Sequence, residues 1–478
     1  VAATAEAFPL RRAIPAVGIG AIAASAIVFL PVIGAAAFTA ALCLLPLAWY
    51  MFSAPYRWLA MFFAAALLLP PLPLPGGDTG PHPSLVLAAL GALAGIASLD
   101  RWRIRWTPAH TAFAALAFAM VLSLGFAALY SGVEIAAASA ARVGLFFIGL
   151  YVYFTSASGP DSMPESTARR MTRALFWIAL AAAAFGCIDF VYQLPAPAGY
   201  EPQFLWLKSG VYRRAQGLFY EASTLGNFSA FFLVAAVVAL AEPRSRRIFP
   251  RVALYSGLVI FSASLLLSFS RASVICAALA VAVLGILERR RWQRSRGVVA
   301  LAILIPAAAG VFALALPEVA GAYWARVGLS LDRLLIAPDS VLSGRLESWG
   351  TIFGFIADHP WQTLLGIGYK TLPYTEYLGR PVIADNMYLS LFVETGLLGL
   401  VALIGLNGAI LITCWRAMRR GSFYGKWLFC FWIGEVVQML TGDILTYWRV
   451  LPVYFWVLAQ ATRSAEDAYG DSDAHSGS

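Results

Sequence analysis

The chain has 478 residues, of which 60% are hydrophobic and only 12% charged, and its mean hydropathy is +0.75. A soluble domain is near half apolar and a quarter charged, so the composition excludes a water-soluble fold and calls for lipid as solvent. The net charge of +9 would suit nucleic acid, but the basic residues sit in short loops between apolar runs, which argues against that partner and matches the positive-inside pattern.

Apolar runs near the ~20 residues that cross a hydrocarbon layer of ~30 Å define the elements. In chain order they are predicted at 13–30, 32–52, 58–72, 84–99, 109–130, 134–156, 174–193, 219–241, 252–269, 272–288, 298–316, 387–414, 426–441 and 446–461. The first, with Arg11 and Arg12 ahead of it, also reads as a signal peptide, although no cleavage site precedes the second run. With the N-terminus in the cytoplasm, 23 Lys and Arg fall on the cytoplasmic side and eight on the other, while Arg142, Arg271 and Arg449 lie in or beside spans. That bias supports both the alternation and two cytoplasmic termini. The fold class expected is an all-α polytopic membrane bundle of about 12–14 spans.

Two outward segments, at about 194–218 and 317–386, are longer than ordinary connections. In the second, Leu346, Trp349, Ile352, Phe353 and Ile356 recur at helical spacing until Pro360, which predicts an amphipathic helix over 343–358 on the outer face. The chain therefore divides into helices over 1–316, an outer loop over 317–386, C-terminal helices over 387–463, and a polar, acidic tail over 464–478 expected to be disordered. The five cysteines (Cys43, Cys187, Cys276, Cys414, Cys430) lie in or beside apolar runs without a CxxC pair and read as small hydrophobes. With four histidines in the chain, no metal centre is expected.

The candidate functional residues are the outer-side arginines, which run against the charge rule. Arg271 stands at an outer turn, in SFSRAS, where it either snorkels or meets an anion. Arg213 and Arg214 precede a span on the same side, where lipid headgroups are the plainer partners. Arg345 opens the amphipathic helix, where a surface ion pair is the plainer reading. Guanidinium forks bind phosphate oxygens bidentately, so converging arginines would make a diphosphate site without a metal. Asp385 and Asn386 stand where the long loop re-enters the membrane, and Asp385 reads as a helix N-cap, a general base, or both. Glu394, Glu221 and Asp189 are acids in or beside apolar runs, and Trp349 is an aromatic support on the outer helix. Glu394 could equally satisfy a neighbouring helix, and Gly396 and Gly399 could serve close packing.

At these residues the sequence resembles the O-antigen ligase and polymerase superfamily of bacterial membrane glycosyltransferases, over roughly 210–440. In DNMYLSLFVETGLLG, Asn386, nine intervening residues and Gly396 match the family pattern, with Asp385 in place of its His. SFSRAS looks like the family's Ser-Arg turn, RRAQGLFYEASTLGNF like its arginine–glycine segment, and SGRLESWGTIFGFIADHPWQTLLGIGY like its outer-loop segment. The resemblance implies a C-type transferase fold in the bacterial inner membrane, with a site facing the periplasm and no cofactor or metal. The implied donor is a glycan on undecaprenyl diphosphate, the acceptor a glycan or a lipid. On this resemblance Arg213, Arg214, Arg271 and Arg345 hold diphosphate, Asp385 and Arg271 are catalytic, and Asn386, Glu394, Glu221 and Trp349 support the site. The Asp385 departure favours a polysaccharide polymerase over a ligase acting on a lipid A core. A transporter or flippase of lipid-linked sugars would also want arginines, but it would be expected to show internal repeats and mid-membrane charges.

Overall fold

A computed structural model describes residues 55–475 apart from 73–80, 103, 160–162, 196–202, 208–209, 244, 246, 290–309, 311–313, 315–316 and 334–344. The spans expected at 13–30 and 32–52, and nearly all of 298–316, lie outside the described residues. The first described helices are α1 (Pro55–Leu68), α2 (Pro83–Ala97), α3 (Pro108–Ser131), α4 (Val133–Ser158) and α5 (Glu165–Tyr192). A short hairpin, β1 (Phe204–Leu207) and β2 (Gly210–Arg213), precedes α6 (Ala222–Ala241), α7 (Arg251–Leu267) and α8 (Arg271–Leu287). The long connection expected to face outward carries α9 (Pro317–Arg333), α10 (Arg345–Asp358) and α11 (Pro360–Leu365). The chain closes with α12 (Met387–Arg419), α13 (Phe423–Gln438) and α14 (Leu451–His475). A helix thus forms at each of the eleven expected spans that fall within the described residues.

Local chemistry starts these helices where the sequence supplies caps. Thr107, Ser270, Asn386 and Ser422 each accept a hydrogen bond from a backbone N–H of the following first turn, satisfying donors that have no partner inside the helix. Proline opens α2 and α3, where a missing N–H costs nothing.

At the centre stand α6, α13 and the first half of α14. Most of α6 is buried, and Phe231 on it packs against Trp427, Phe431 and Tyr454 with ring centroids 4.4, 4.9 and 4.3 Å away. Around them, α7 and α8 lie against α6, α4 against α14, and α3 against α12. The outer surfaces of these helices are apolar: Phe118, Val121 and Leu129 on α3, Val259 on α7, and Val401 and Ile404 on α12 are all exposed. In water such a surface would aggregate; in a bilayer it is the required one. Helices α3, α4, α5, α6 and α12 are long and apolar enough to cross a membrane. The chain is an all-α polytopic membrane protein.

Three departures from expectation have local causes. The outer segment before α6 carries the β1–β2 hairpin, in which Phe204 pairs with Arg213 and Leu207 with Gly210. The amphipathic helix forms at Arg345–Asp358, but it buries Ile352 and Phe355, whereas Phe353 is exposed. Those two side chains enter a small second core with Ile367, Leu372, Val382, Ala384 and Val393, so this long connection docks through its own apolar cluster. Finally, the last helix continues to His475 through the stretch expected to be a disordered tail.

Candidate active site

One end of the bundle gathers most of the residues singled out by sequence. The C-terminal end of α13 ties two of its parts together. Gln438 Nε2 donates to Ser273 Oγ in the first turn of α8 (3.4 Å), while the Met439 carbonyl accepts from the Met387 N–H at the start of α12 (2.9 Å). The turn bearing Arg271 and the re-entry bearing Asp385 therefore flank the same helix end.

The Arg271 turn is built from serines. Phe269 takes a left-handed conformation (φ 52°), stacking its ring on Tyr323 of α9 at 4.6 Å, and Ser270 caps α8. Gly226 on α6 makes room for this turn: a Cβ there would lie 2.6 Å from Ser268 Oγ and 2.8 Å from Ser270 Cβ. Arg271 is exposed in the first turn of α8, where the helix dipole is already positive, so the guanidinium and the free N–H groups both suit an anion.

Arg214 joins this turn. Its Nε donates to the Ser268 carbonyl (2.8 Å), its Nη1 to Gln203 Oε1, and the next residue's N–H, that of Ala215, donates to the Leu267 carbonyl (3.0 Å). Arg213 does not join it. Its side chain turns inward, 8% exposed, to pair with Asp189 on α5 and donate to the Leu194 carbonyl. The second Asp189 oxygen accepts from the Gly217 N–H at 3.1 Å, so this acid and Arg213 fix the Gly217–Phe219 turn that leads into α6. The diphosphate expected at Arg213 would thus have to compete with the buried carboxylate of Asp189.

Across the α13 end, Arg345 Nε donates to Asp385 Oδ2 at 3.2 Å, and Trp349 Nε1 donates to the Ala384 carbonyl at 2.7 Å. Half-exposed ion pairs contribute about 0–1 kcal/mol, so this one aims the carboxylate more than it stabilises the fold. The cap expected at Asp385 belongs instead to Asn386, whose Oδ1 accepts from the Leu389 N–H at 3.1 Å. Asp385 precedes the cap with a positive φ of 45°, and its carboxylate is 49% exposed. It is thereby released from helix duty.

Gly396 has a role beyond packing. It interrupts α12 with φ 72° and ψ −173°, a conformation open in practice only to glycine. The break frees carbonyls of α12, and the loop uses them: the Ile367 N–H donates to Val393 O (3.0 Å) and the Gly368 N–H to Glu394 O (2.8 Å). A Cβ on Gly396 would run into the Leu364 carbonyl and the backbone of Leu365. Glu394, 1% exposed, accepts from the Leu372 N–H through Oε1 (3.3 Å). Nearby, Lys370 pairs with Asp443, and Arg142 donates to the Lys370 carbonyl (3.1 Å) while lying 4.4 Å over the Tyr374 ring. These groups fasten the long connection before α12 to the bundle.

Below the Arg271 turn the interior stays polar. Glu221, the residue before α6, accepts from Ser223 Oγ (2.7 Å) and Thr224 Oγ1 (2.6 Å). One turn deeper, Asn227 Nδ2 donates to Glu435 Oε2 at 2.7 Å, and Tyr454 donates to Asn227 Oδ1. Among the described residues no partner exists for Glu435 Oε1, Gln438 Oε1 or the side-chain amide of Gln216, all buried. Orphaned buried polar atoms are rare in native folds, and here several lie beneath one turn. Sequence reasoning passed over Glu435; an acid in the apolar run LFCFWIGEVV was the available signal.

At the same end Arg449 donates to the Ala66 carbonyl (2.7 Å), to Leu218 and to Leu69 (3.0 Å), capping α1 and the turn before α6. His82, before α2, donates from Nε2 to Leu69 O (2.9 Å) and accepts at Nδ1 from the Ser84 N–H (3.2 Å). Burial, then the charge of Arg449, lower its pKa to about 4, against the hydrogen bond to Leu69, which raises it.

No curated protein matches the chain. The family model described as O-antigen ligase matches residues 256–404, which run from α7 through the first half of α12 and include Arg271, Arg345, Asp385 and Gly396. Over residues 256–404, then, this all-α membrane bundle is similar to the O-antigen ligase family.

Proposed function

We propose that this protein is a membrane glycosyltransferase that polymerises glycan units carried on undecaprenyl diphosphate, at the periplasmic face of the bacterial inner membrane. The observation that carries the reading is the juxtaposition of two unlike charges at one helix end. Cationic Arg271 and Arg214 lie on one side of the α13 terminus, and the exposed carboxylate of Asp385, aimed by Arg345, lies on the other.

In the proposed reaction the acceptor hydroxyl oxygen bonds to the anomeric carbon of the donor. The bond from that carbon to the diphosphate oxygen breaks, and the lipid diphosphate leaves with the electron pair. The acceptor proton passes to Asp385, the general base. Charge grows on the departing diphosphate, so prearranged guanidinium groups stabilise the transition state more than the ground state. Arg271 and the helix α8 N-terminus take that role, with Arg214 beside them. Asn386 holds the start of α12 in register, and Trp349 and Arg345 hold the outer helix against it.

A ligase is the second reading, favoured by the description of the matching family, O-antigen ligase. The carboxylate at Asp385, where the family pattern has a His, favours the polymerase. Reconstitution of the purified protein with a lipid-linked oligosaccharide distinguishes the two. A ladder of longer chains on the same lipid is expected. Transfer to an added lipid A core would instead support the ligase, and unchanged donor under both conditions would refute glycan transfer.

A further inference from the structure

The opposite end of the bundle holds a second built feature. A hollow of about 720 Å³ opens between the start of α5, the α12–α13 connection and the middle of α14. Helix α5 sets the separation: Glu165 at the hollow and Asp189 beside the Arg271 end are 24 positions apart, roughly 36 Å at the helical rise. The hollow is lined by Arg169, Arg420, Arg463, Ser422, Tyr424 and Gln460. Two acids also line it, and both are matched: Glu165 by Arg169 at 2.8 Å, and Glu242 by Lys426, which also holds Glu288 at 2.8 Å.

Two observations indicate what the hollow takes. Gln460 is 4% exposed, yet its Nε2 amide has no hydrogen-bond acceptor among the described residues. A buried donor without an acceptor costs about 1–3 kcal/mol, which a ligand oxygen would relieve. The second observation is the adjoining hollow of about 510 Å³, which shares Ile248 and is lined by Arg173, Arg247 and Arg251, with no acid among the described residues that line it, beside half-exposed Trp177. Arg173 and Arg247 are held in place by backbone carbonyls, Ile248 for the first (2.6 Å), Glu242 and Leu240 for the second (3.2 and 3.0 Å). Guanidinium groups set in fixed positions, plus an orphaned amide donor, suit oxygens that accept several hydrogen bonds at once.

We propose that this end of the bundle binds a phosphate-bearing anion, remote from and additional to the diphosphate of the transfer reaction. The phosphate group is cradled by Arg420, Arg463 and Gln460, and Arg173, Arg247 and Arg251 extend the positive surface toward the lipid. An acidic phospholipid headgroup and a soluble phosphate present the same chemistry, and the experiment separates them.

The full chain, purified in a zwitterionic detergent and delipidated, is mixed with phosphatidylglycerol or phosphatidylcholine, and bound lipid is counted by native mass spectrometry. In parallel, inorganic phosphate is titrated while thermal unfolding is followed. Phosphatidylglycerol retained over phosphatidylcholine identifies a lipid source; saturable stabilisation by inorganic phosphate identifies the bare group as sufficient. Either result should fall by on the order of tenfold in the double variant Arg420→Gln, Arg463→Gln, since charge-assisted bonds are lost. Should that variant not fold, Gln460→Leu, which keeps the side-chain volume, should still weaken binding several-fold. No binding of either probe to the wild type, or binding unchanged in a monodisperse variant, overturns the proposal.

Discussion

Gly396→Ala is the sharpest perturbation of the architecture. The backbone there has φ 72° and ψ −173°, which an alanine tolerates at a cost of about 1–3 kcal/mol. The added Cβ also meets the Leu364 carbonyl, so the segment after α11 must move. That movement strains two backbone hydrogen bonds, Ile367 to Val393 and Gly368 to Glu394, each contributing about 1 kcal/mol. The total is about 3–5 kcal/mol, a drop of several degrees or more in the melting temperature of detergent-purified protein followed by tryptophan fluorescence. Gly405→Ala on the same helix is the control. A Cβ there meets nothing within 4 Å, so the change should be neutral or stabilising by about 0.5–1 kcal/mol. Equal melting temperatures for Gly396→Ala and wild type would refute the helix break and the docking it supports.

Other perturbations follow from the buried charges. Asp189→Asn leaves Arg213 buried against a neutral amide and should destabilise the protein by about 3–5 kcal/mol, measured by the same unfolding assay; adding Arg213→Met should recover part of that loss. Lys426→Met removes the cation shared by Glu242 and Glu288 at the other end and should cost a similar amount, about 3–5 kcal/mol. Protonation of His82 gives a pH dependence. Its pKa is about 4 in the fold against an ordinary value of 6.5, so between these values the unfolded chain binds more protons. The contribution of His82 to stability should therefore be constant above pH 6.5 and fall as pH drops toward 4, by about 3 kcal/mol. In melting curves taken across that window, the stability of wild type relative to His82→Asn should fall by this amount as pH drops; a difference that does not change with pH would refute the assignment.

The sequence made the spans legible because lipid imposes one rule on every residue of a run: apolar length near twenty, charges outside. Hence a helix stands at each of the eleven expected spans within the described residues. The Arg271 turn and the re-entry at Asp385 were legible as exceptions to the same rule. Pairing partners were not legible, because they depend on which helices become neighbours. Arg213 and Arg214 are adjacent in sequence and alike in composition, yet the β2 strand directs one to Asp189 and the other to the Ser268 carbonyl. Asp385 and Asn386 are both good caps, and the choice of Asn386 follows from where α12 begins. The face of α10 was shifted as well. Periodicity favoured Phe353, but the second core forms around Val393 and Ile367, and it takes Phe355 instead. Glu435 was hidden inside an apolar run, where only the approach of Asn227 reveals a partner.

In the proposed reaction, cations on the α8 turn grip the diphosphate that leaves. The most direct measurement of that grip is the initial rate of donor consumption by Arg271→Ala in proteoliposomes supplied with a lipid-linked oligosaccharide. Membrane amount and melting temperature are held equal to wild type. The rate should fall by at least about two orders of magnitude, in line with the loss of one transition-state donor, with only partial recovery in Arg271→Lys, because an ammonium cannot reproduce the bidentate fork. An Arg271→Ala protein that consumes donor at the wild-type rate would contradict that role.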